Sequence, residues 1–297
     1  MKLKNTKIKM NFDRKVTEKE SVARTKLKNI IPITNDSMFK TLFSRKENIK
    51  FPAKLLSYII DMDYENILKR IRFSKNETGK ENQKDIAYRN DLVLEIDDTT
   101  INVELNNNGN EDIRNRNFSY LMRIREDVKY KQVIQININN YCYYDDLEVR
   151  TDYAILNYRG ELYTDKIFII DIYLPNIVKK SKDKKNILTE MERFLLIGIE
   201  ENRKKALEYV GDDIVMMEFE EEVEKRSKDD ELIEAYDKEW AIKELALREG
   251  KEIGIEQGKE IGIEQLNYLN QKIKEGMTIE EISNLINISI NELKKSK

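Results

Sequence analysis

The sequence predicts an α/β fold in which a mixed sheet is flanked by helices and followed by a helical C-terminal extension. Two observations lead to this fold class. Two runs of strict apolar–polar alternation, joined by turn residues, occupy residues 91–106, and a helical pattern and a further strand follow them. From residue 189 onward, the apolar residues recur at helical spacing instead.

The alternating runs predict an antiparallel hairpin whose apolar side chains share one face. If Asp98 and Thr99 form a two-residue loop, Asp91 pairs with Asn106, and Glu104 is a diagonal neighbour of Asp91 at about 7–8 Å. Asp91, Glu104 and Asn106 then lie together on the polar face. Two carboxylates at that separation can hold one hard divalent cation between them.

Three helices are predicted before the hairpin. The first begins near Asp36, capped by the residues before it, and the others cover about 52–60 and 64–70. A polar loop at 74–89 carries Lys84, which could approach a phosphate group. Asp36 lies in a first helical turn, where the helix dipole favours a carboxylate, and this position alone accounts for it.

A helix and a parallel strand are predicted after the hairpin. The helix runs from Asn110 to about residue 127, and a charge run such as its arginines, among them Arg114 and Arg116, is usually a solvated face. The strand covers 131–139, and we expect Gln135 in it to face solvent. Further strands are expected at about 153–158 and 167–174.

The C-terminal part contains a repeat. Residues 250–257 read GKEIGIEQ, and residues 258–265 are identical to them, which places glycines four residues apart. Because four residues are close to one helical turn, these glycines would form a groove along a helix, which predicts a self-association or spacer helix. Repeat expansion in a tolerant helix explains the pattern equally well. Two capping boxes, at Thr278 and Ser289, predict short helices that resemble a truncated helix-turn-helix or form a packing hairpin.

The predicted organisation has five segments. They are a basic flexible arm at 1–28, a core at 29–175, a helical extension at 176–240, a Gly-repeat helix at 241–272 and a small helix-turn-helix-like motif at 273–297. The arm contains ten Lys or Arg residues and three acids, so it is a solvated tail or a phosphate contact.

Composition excludes several kinds of site. The chain has no His and one Cys, which removes Ser-His-Asp catalysis, His-ligated zinc and any disulfide framework. A carboxylate site for Mg²⁺ or Mn²⁺ is the main hydrolytic option that remains. The charges nearly balance, with 53 Lys and Arg against 56 Asp and Glu, so any basic surface must be local. Without an apolar leader or spanning segment, we expect a cytoplasmic protein without a membrane partner.

The hairpin resembles the PD-(D/E)XK nucleases, in which an Asp begins one strand and an acid-x-Lys or Glu-x-Gln tripeptide lies on the next. Residues 35–40, Asn-Asp-Ser-Met-Phe-Lys, look like the opening helix of that family, and Glu104-Leu105-Asn106 stands at its Glu-x-Gln. The resemblance is strongest over 35–140 and points to the branch of recombination-promoting nucleases and putative transposases. Asn106 departs from the usual Gln or Lys.

The resemblance implies a PD-(D/E)XK core and a Mg²⁺- or Mn²⁺-dependent DNA endonuclease linked to recombination or mobile elements. Asp91 and Glu104 would bind the metal, Asp36 would assist, and Asn106 would orient water. Arg114, Arg116 and Lys84 would contact DNA, and the Gly-repeat helix would form a homo-oligomer. Two alternatives remain: a catalytically weakened relative that binds DNA or protein, and a structural protein assembled through the glycine repeats.

Overall fold

The computed structural model describes most of the chain. The described residues are 30–74, 77–78, 88–128, 131–144, 147–183, 185–278 and 280–282. The basic arm, Lys84 and most of the predicted helix-turn-helix-like motif lie outside them, so those expectations stay predictions. The chain divides into two compact units, Met1–Asp237 and Lys238–Lys297.

In the described part of the first unit, helices come first, strands with one helix among them follow, and helices form the rest. The helices are α1 (Asp36–Phe43), α2 (Lys50–Ile59), α3 (Tyr64–Arg70), α4 (Glu111–Val128), α5 (Leu174–Ser181), α6 (Glu190–Ile199), α7 (Arg203–Val210), α8 (Ile214–Arg226) and α9 (Asp230–Lys274), with a 3-10 turn at Lys46–Asn48. The strands are β1 (Ile71–Phe73), β2 (Glu77–Thr78), β3 (Tyr88–Arg89), β4 (Leu92–Ile96), β5 (Thr99–Asn106), β6 (Gln132–Asn139), β7 (Arg150–Ala154) and β8 (Ile167–Tyr173).

Six of these strands form one mixed sheet in the order β1-β4-β5-β6-β8-β7. β4 and β5 are the antiparallel hairpin, β5, β6 and β8 are parallel, and β7 is antiparallel to β8. α4 connects β5 to β6, as a parallel pair requires. The predicted α/β class, with a mixed sheet flanked by helices and a helical C-terminal extension, is confirmed. The strand expected at about 153–158 lies earlier in the chain, since β7 covers Arg150–Ala154.

Capping explains two helix starts. Asn35 accepts a hydrogen bond from the backbone N–H of Met38 at 3.0 Å, which begins α1 at Asp36. Asn110 accepts one from Ile113 N at 2.9 Å, ahead of α4. α1 and α4 flank the hairpin, so these caps fix where the helices approach the polar residues of the sheet.

The main core lies between one face of the sheet and the helices. Leu92, Leu94, Ile101, Val103 and Leu105 supply this face from the hairpin. The helices contribute a cluster of buried rings, Phe43, Phe51, Phe194 and Phe219, in which the last two stack at 4.3 Å. Truncating such a buried ring to Ala costs about 3–5 kcal/mol, so this cluster is a main determinant of stability.

The opposite face of the sheet is divided along the strands. Near the start of β6, Val93 and Val133 pack against Leu121 and Ile124 of α4 in a small apolar cluster. Towards the carboxyl ends of β5 and β6, this face carries polar side chains that are buried. The apolar cluster holds α4 over this face, and α4 therefore covers the polar side chains beside the cluster. The candidate site lies among these polar side chains.

One glycine permits a close approach of two backbone segments. A Cβ atom on Gly198 in α6 would lie 2.7 Å from Cγ2 of Ile33. Ile33 N donates to the carbonyl of Gly198 at 2.9 Å, which fixes the segment before α1 against α6.

The second unit contains the part of α9 beyond Asp237, and α9 is 45 residues long. The glycines at 250, 254, 258 and 262 have nothing within 4 Å of the position where a Cβ would stand. The isoleucines of the repeat are half-exposed, between 50% and 59%. The first capping box is present, since Thr278 Oγ1 accepts from Glu281 N at 3.3 Å.

Within the described residues, no helix combines the length and apolar character that crossing a membrane would need.

Candidate active site

The hairpin turn determines how Asp91 faces Glu104. The turn residues are Asp97 and Asp98, with Asp97 in the left-handed region at φ 51°, and Ile96 pairs with Thr99. The predicted loop at Asp98 and Thr99 was therefore wrong, and the register is displaced by two residues. Because the displacement is even, every side chain keeps its predicted face. Continuing the register from Leu92↔Val103 places Asp91 directly opposite Glu104 instead of diagonally.

Asp91 and Glu104 lie on the same side of the sheet, and each carboxyl group accepts a hydrogen bond from a backbone N–H across the hairpin. Asp91 Oδ2 accepts a hydrogen bond from Leu105 N at 3.1 Å, and Glu104 Oε1 accepts one from Asp91 N at 3.3 Å. Glu104 is only 2% exposed. The sheet thus holds two carboxyl groups together where water is largely excluded.

The electrostatics of this pair are unfavourable for two free carboxylates. Burial and the neighbouring charge of Asp91 raise the pKa of the Glu104 carboxyl to about 8. The hydrogen bond from Asn102 Nδ2, at 3.1 Å, and the positive charge of Arg116 act in the opposite direction. A group that binds at the pair and carries positive charge would favour the ionised form of Glu104.

Lys40 of α1 supplies positive charge at the pair. Its Nζ lies 3.3 Å from Asp91 Oδ1, and its side chain is about half-exposed at 51%. Asp36 lies one helical turn earlier on the same side of α1 and is exposed. The described residues contain no group of three or more His, Cys, Asp or Glu side chains arranged for a metal ion, so the structure does not bring Asp36 together with Asp91 and Glu104 as a third ligand.

A chain of amide side chains extends from Glu104 across the sheet to Asp171. Asn102 Nδ2 donates to Gln135 Oε1 at 2.8 Å, and Gln135 Nε2 donates to Asn137 Oδ1 at 2.8 Å. Asn137 Nδ2 in turn donates to Asp171 Oδ1 at 2.7 Å. Gln135 is fully buried, so the expectation that it faces solvent was wrong, because α4 covers this part of the sheet: Asn117 of α4 donates to Asn137 at 3.0 Å.

Asn106 takes part in a second row of polar contacts. Its Nδ2 donates to Asn139 Oδ1 at 3.0 Å, and its Oδ1 accepts from Arg116 Nη2 at 3.0 Å. The side chain is 2% exposed. Asn106 therefore lies on the predicted face beside Glu104, with its donor and its acceptor both engaged.

Arg114 lies near the far end of the chain of amides. Its Nη2 donates to the hydroxyls of Tyr153 at 3.0 Å and Tyr144 at 3.3 Å, and its guanidinium lies 4.3 Å from the ring centre of Tyr143. Burial raises the pKa of Asp171, and the hydrogen bond from Asn137 and the charge of Arg114 offset part of that rise. The structure places both predicted arginines, Arg114 and Arg116, at the polar face.

Comparison with known proteins identifies the family. The model of a family described as PD-(D/E)XK nuclease family transposase matches residues 33–244, which is more than half of the chain. The chain belongs to this family. No curated protein and no solved structure gave a match. As a PD-(D/E)XK family member, the protein has a recognised link to nucleases and to mobile elements.

The acid pair of this PD-(D/E)XK protein fits a divalent cation. Carboxylate oxygens are the ligands that Mg²⁺ and Mn²⁺ prefer, and the raised pKa of Glu104 indicates that the positive charge of Arg116 does not fully offset burial and the charge of Asp91. Asp91 and Glu104 are the residues that would hold the ion. Lys40 would remain beside it without being a ligand.

Sequence reasoning missed three residues of this PD-(D/E)XK site: Lys40, Asn137 and Asp171. Asp171 is an acid within an otherwise apolar strand, Ile-Phe-Ile-Ile-Asp-Ile-Tyr, and such a residue in a buried strand is a usable signal. Asn137 alternates with apolar residues and looks like an ordinary solvated position. Lys40 ends the 35–40 motif on which the resemblance rests, but its approach to Asp91 depends on how α1 packs and was not predicted.

Proposed function

We propose that this PD-(D/E)XK family member is a metal-dependent DNA endonuclease that acts in the cytoplasm, in recombination or in the movement of mobile elements. The observation that carries the proposal is the pairing of Asp91 with Glu104. Two carboxyl groups on adjacent strands, one of them 2% exposed, are costly to keep together unless a cation joins them. Family membership supports the reaction class.

The chain's own residues have separate roles in this proposal. Asp91 and Glu104 hold Mg²⁺ or Mn²⁺. When bound, such an ion lowers the pKa of coordinated water and stabilises negative charge on a phosphate. Lys40 supplies a positive charge 3.3 Å from Asp91. Asn106, which stands where the family has Gln or Lys, is neutral and cannot supply that charge. Its half-exposed position lets it contact a phosphate from the solvent side.

Further polar groups position the substrate and the reacting water. Asn106, fixed by Arg116 and Asn139, orients water or the phosphate beside Glu104. Arg114 and Arg116 contact the DNA backbone, and the described residues provide no carboxylate partner within ion-pair distance for either. Lys84 and the basic arm remain proposed DNA contacts that lie outside the described residues. Asp36 does not join Asp91 and Glu104 as a third ligand, and in this proposal it assists from the first turn of α1.

Cleavage of supercoiled and linear DNA by the full chain tests the proposal. We expect cleavage in Mg²⁺ or Mn²⁺, none in EDTA and none for Asp91→Ala. Asp98→Ala is the matched control, because Asp98 is an exposed acid in the turn of the same hairpin. Equal degradation in EDTA and in Mg²⁺ would overturn the proposal, and so would full activity of Asp91→Ala.

A second candidate is a catalytically weakened relative that binds DNA or a protein partner. The observation that favours it is the engagement of Asn106, whose donor and acceptor are both used within the protein. Asn106→Gln and Asn106→Lys discriminate between the two. Cleavage that appears in either variant above an inactive parent supports the second candidate, whereas a parent that cleaves and loses activity in both supports the first.

We also propose that the glycine repeat of α9 joins copies of the chain. The open positions beside the four glycines and the half-exposed isoleucines around them support this role. Deleting residues 250–265 should lower the mass measured by light scattering to that of a monomer. Cleavage that survives the deletion would exclude a purely structural protein, and an unchanged mass would overturn the proposed assembly.

A further inference from the structure

A cluster of tyrosines surrounds Arg114 at the edge of the polar face. We define the tyrosine–arginine cluster as Arg114, Tyr143, Tyr144 and Tyr153. The guanidinium lies 4.3 Å from the ring centre of Tyr143, 5.7 Å from that of Tyr144 and 5.8 Å from that of Tyr153. Tyr144 is 49% exposed, so part of the cluster faces solvent. The cluster therefore presents flat aromatic and guanidinium surfaces to a ligand.

The surrounding structure holds the cluster in place. Tyr143 donates to the carbonyl of Asn110 at 3.3 Å and accepts from the hydroxyl of Tyr141 at 3.0 Å. The ring of Tyr141 packs on Gly109, where a Cβ atom would lie 2.4 Å from Cδ2 of that ring. Rings that are already fixed lose little conformational entropy when a ligand stacks on them.

Arg114 makes no ion pair within the described part of the chain, although the charge of Asp171 acts on it. No carboxylate there lies within ion-pair distance of its guanidinium, whose hydrogen bonds go to the neutral hydroxyls of Tyr144 and Tyr153. Phe118 lies one turn along α4 on the same side and is 51% exposed. Positive charge interleaved with exposed rings is the pattern of surfaces that bind single-stranded nucleic acid.

The sheet register gives the approximate separation between the acid pair and Asp171, the residue beside the cluster. Glu104 pairs with Asn137, and Asn137 pairs with Asp171, beside which Arg114 lies. Two strand spacings amount to about 10 Å, or about three nucleotides at the rise of one DNA strand. A strand whose phosphate lies at Asp91 and Glu104 would reach the cluster with a nucleotide a few positions away.

We propose that the tyrosine–arginine cluster is a stacking subsite for an unpaired base near the scissile phosphate, so that the substrate is single-stranded or locally unpaired DNA. In a duplex the base faces are covered by their neighbours, and only phosphates and groove edges reach the protein. An unpaired nucleotide can present the face of its base to Tyr144 and its phosphate to Arg114. This inference rests on the proposed nuclease function and narrows its substrate.

Binding in EDTA tests the subsite without cleavage. The anisotropy of a labelled single strand and of a hairpin duplex is measured with the full chain. For Tyr144→Ala we expect about 5- to 100-fold weaker binding of the single strand and unchanged binding of the duplex. Tyr144→Phe retains the ring and should bind as the parent does. Tyr144→Leu fills the space without a π face, so it should lose single-strand binding as Tyr144→Ala does. Single-strand binding that recovers in Tyr144→Leu would show that truncation caused the loss in Tyr144→Ala, and it would overturn the subsite.

Tyr158→Ala is the matched control. Tyr158 is 90% exposed and stacks with its own arginine, Arg159, at 5.3 Å. We expect this variant to bind both DNAs as the parent does. Equal losses for single strand and duplex in Tyr144→Ala, no loss for either, or an equal loss in Tyr158→Ala would overturn the subsite.

Cleavage in Mn²⁺ is measured on the same variants, so that a failure of the proposed subsite can be distinguished from a failure of the proposed nuclease function. A protein that never cleaves but prefers single strands through Tyr144 keeps the subsite and loses the nuclease function. A protein that cleaves in Mn²⁺ without any dependence on Tyr144 keeps the nuclease function and loses the subsite. Preferential binding of an acidic protein at this surface, with no preference for single strands, would also overturn the subsite.

Discussion

Replacing Glu104 with Gln should stabilise the metal-free protein while abolishing its activity. The substitution removes a buried charge that faces Asp91 and retains nearly the same shape. Burial and the charge of Asp91 raise the pKa of Glu104 from 4.5 to about 8. Between these values the folded state binds more protons than the unfolded state, so the stability of the parent must fall as pH rises.

The size of the effect follows from the width of that pH window. Within this window, each unit of pH increase lowers the free energy of unfolding of the parent by up to about 1.4 kcal/mol. Between pH 6 and pH 8, the difference in unfolding free energy between Glu104→Gln and the parent should therefore grow by about 2–3 kcal/mol. This free-energy difference is an upper limit, because relaxation and water penetration reduce the penalty of a buried charge. For a folded unit of this size, the same free-energy difference corresponds to a difference in Tm of about 5–10 °C.

Thermal and urea unfolding in EDTA, at pH 6, 7 and 8, measure the difference directly. Glu192→Gln is the contrasting control, because Glu192 is also fully buried but is paired with Lys180 Nζ at 2.8 Å. Neutralising Glu192 should lower the Tm at each pH, since it leaves a cation without its partner. Parallel pH curves for the parent and Glu104→Gln would refute the reasoning, because they would show that Glu104 does not carry the unfavourable charge.

Three further substitutions test other parts of the site. Lys40→Met should lower cleavage by about 100-fold, whereas Lys46→Met, an exposed lysine just after α1, should have no effect; equal rates would remove Lys40 from the site. Arg116→Met should raise the pKa of Glu104 further, because the charge of Arg116 lowers it, and should move the acidic limb of the pH–rate profile to higher pH, with Arg116→Lys restoring it. Asp36→Asn should weaken Mn²⁺ binding by about tenfold, measured by calorimetry, and unchanged affinity would show that Asp36 does not assist.

The sequence was sufficient to predict the faces of the hairpin. Alternation alone placed Asp91, Glu104 and Asn106 on one side, and an error of two residues in register leaves that result unchanged. The turn was harder to predict, because Asp97, Asp98 and Thr99 are all turn formers. Its position depends on Asp97 adopting a positive φ, which alternation does not reveal.

The buried amides of β6 show why the rest of the site was not predictable. Gln135, Asn137 and Asn139 alternate with isoleucines, as residues on a solvated face do. Their burial results from α4, which packs on that face through Leu121 and Ile124. The contact of Lys40 with Asp91 likewise depends on tertiary packing, in this case of α1. Periodicity identifies which side chains share a face, but it does not show what covers that face.

A titration of Mn²⁺ followed by electron paramagnetic resonance tests the central claim most directly. The account predicts one Mn²⁺ site whose affinity rises with pH up to about the pKa of Glu104, near 8, because binding requires that carboxyl to lose its proton. Asp91→Ala and Glu104→Gln should abolish the site, and Asp98→Ala should retain it. Mn²⁺ binding that is the same in all four proteins, or absent from the parent at every pH, would contradict the account.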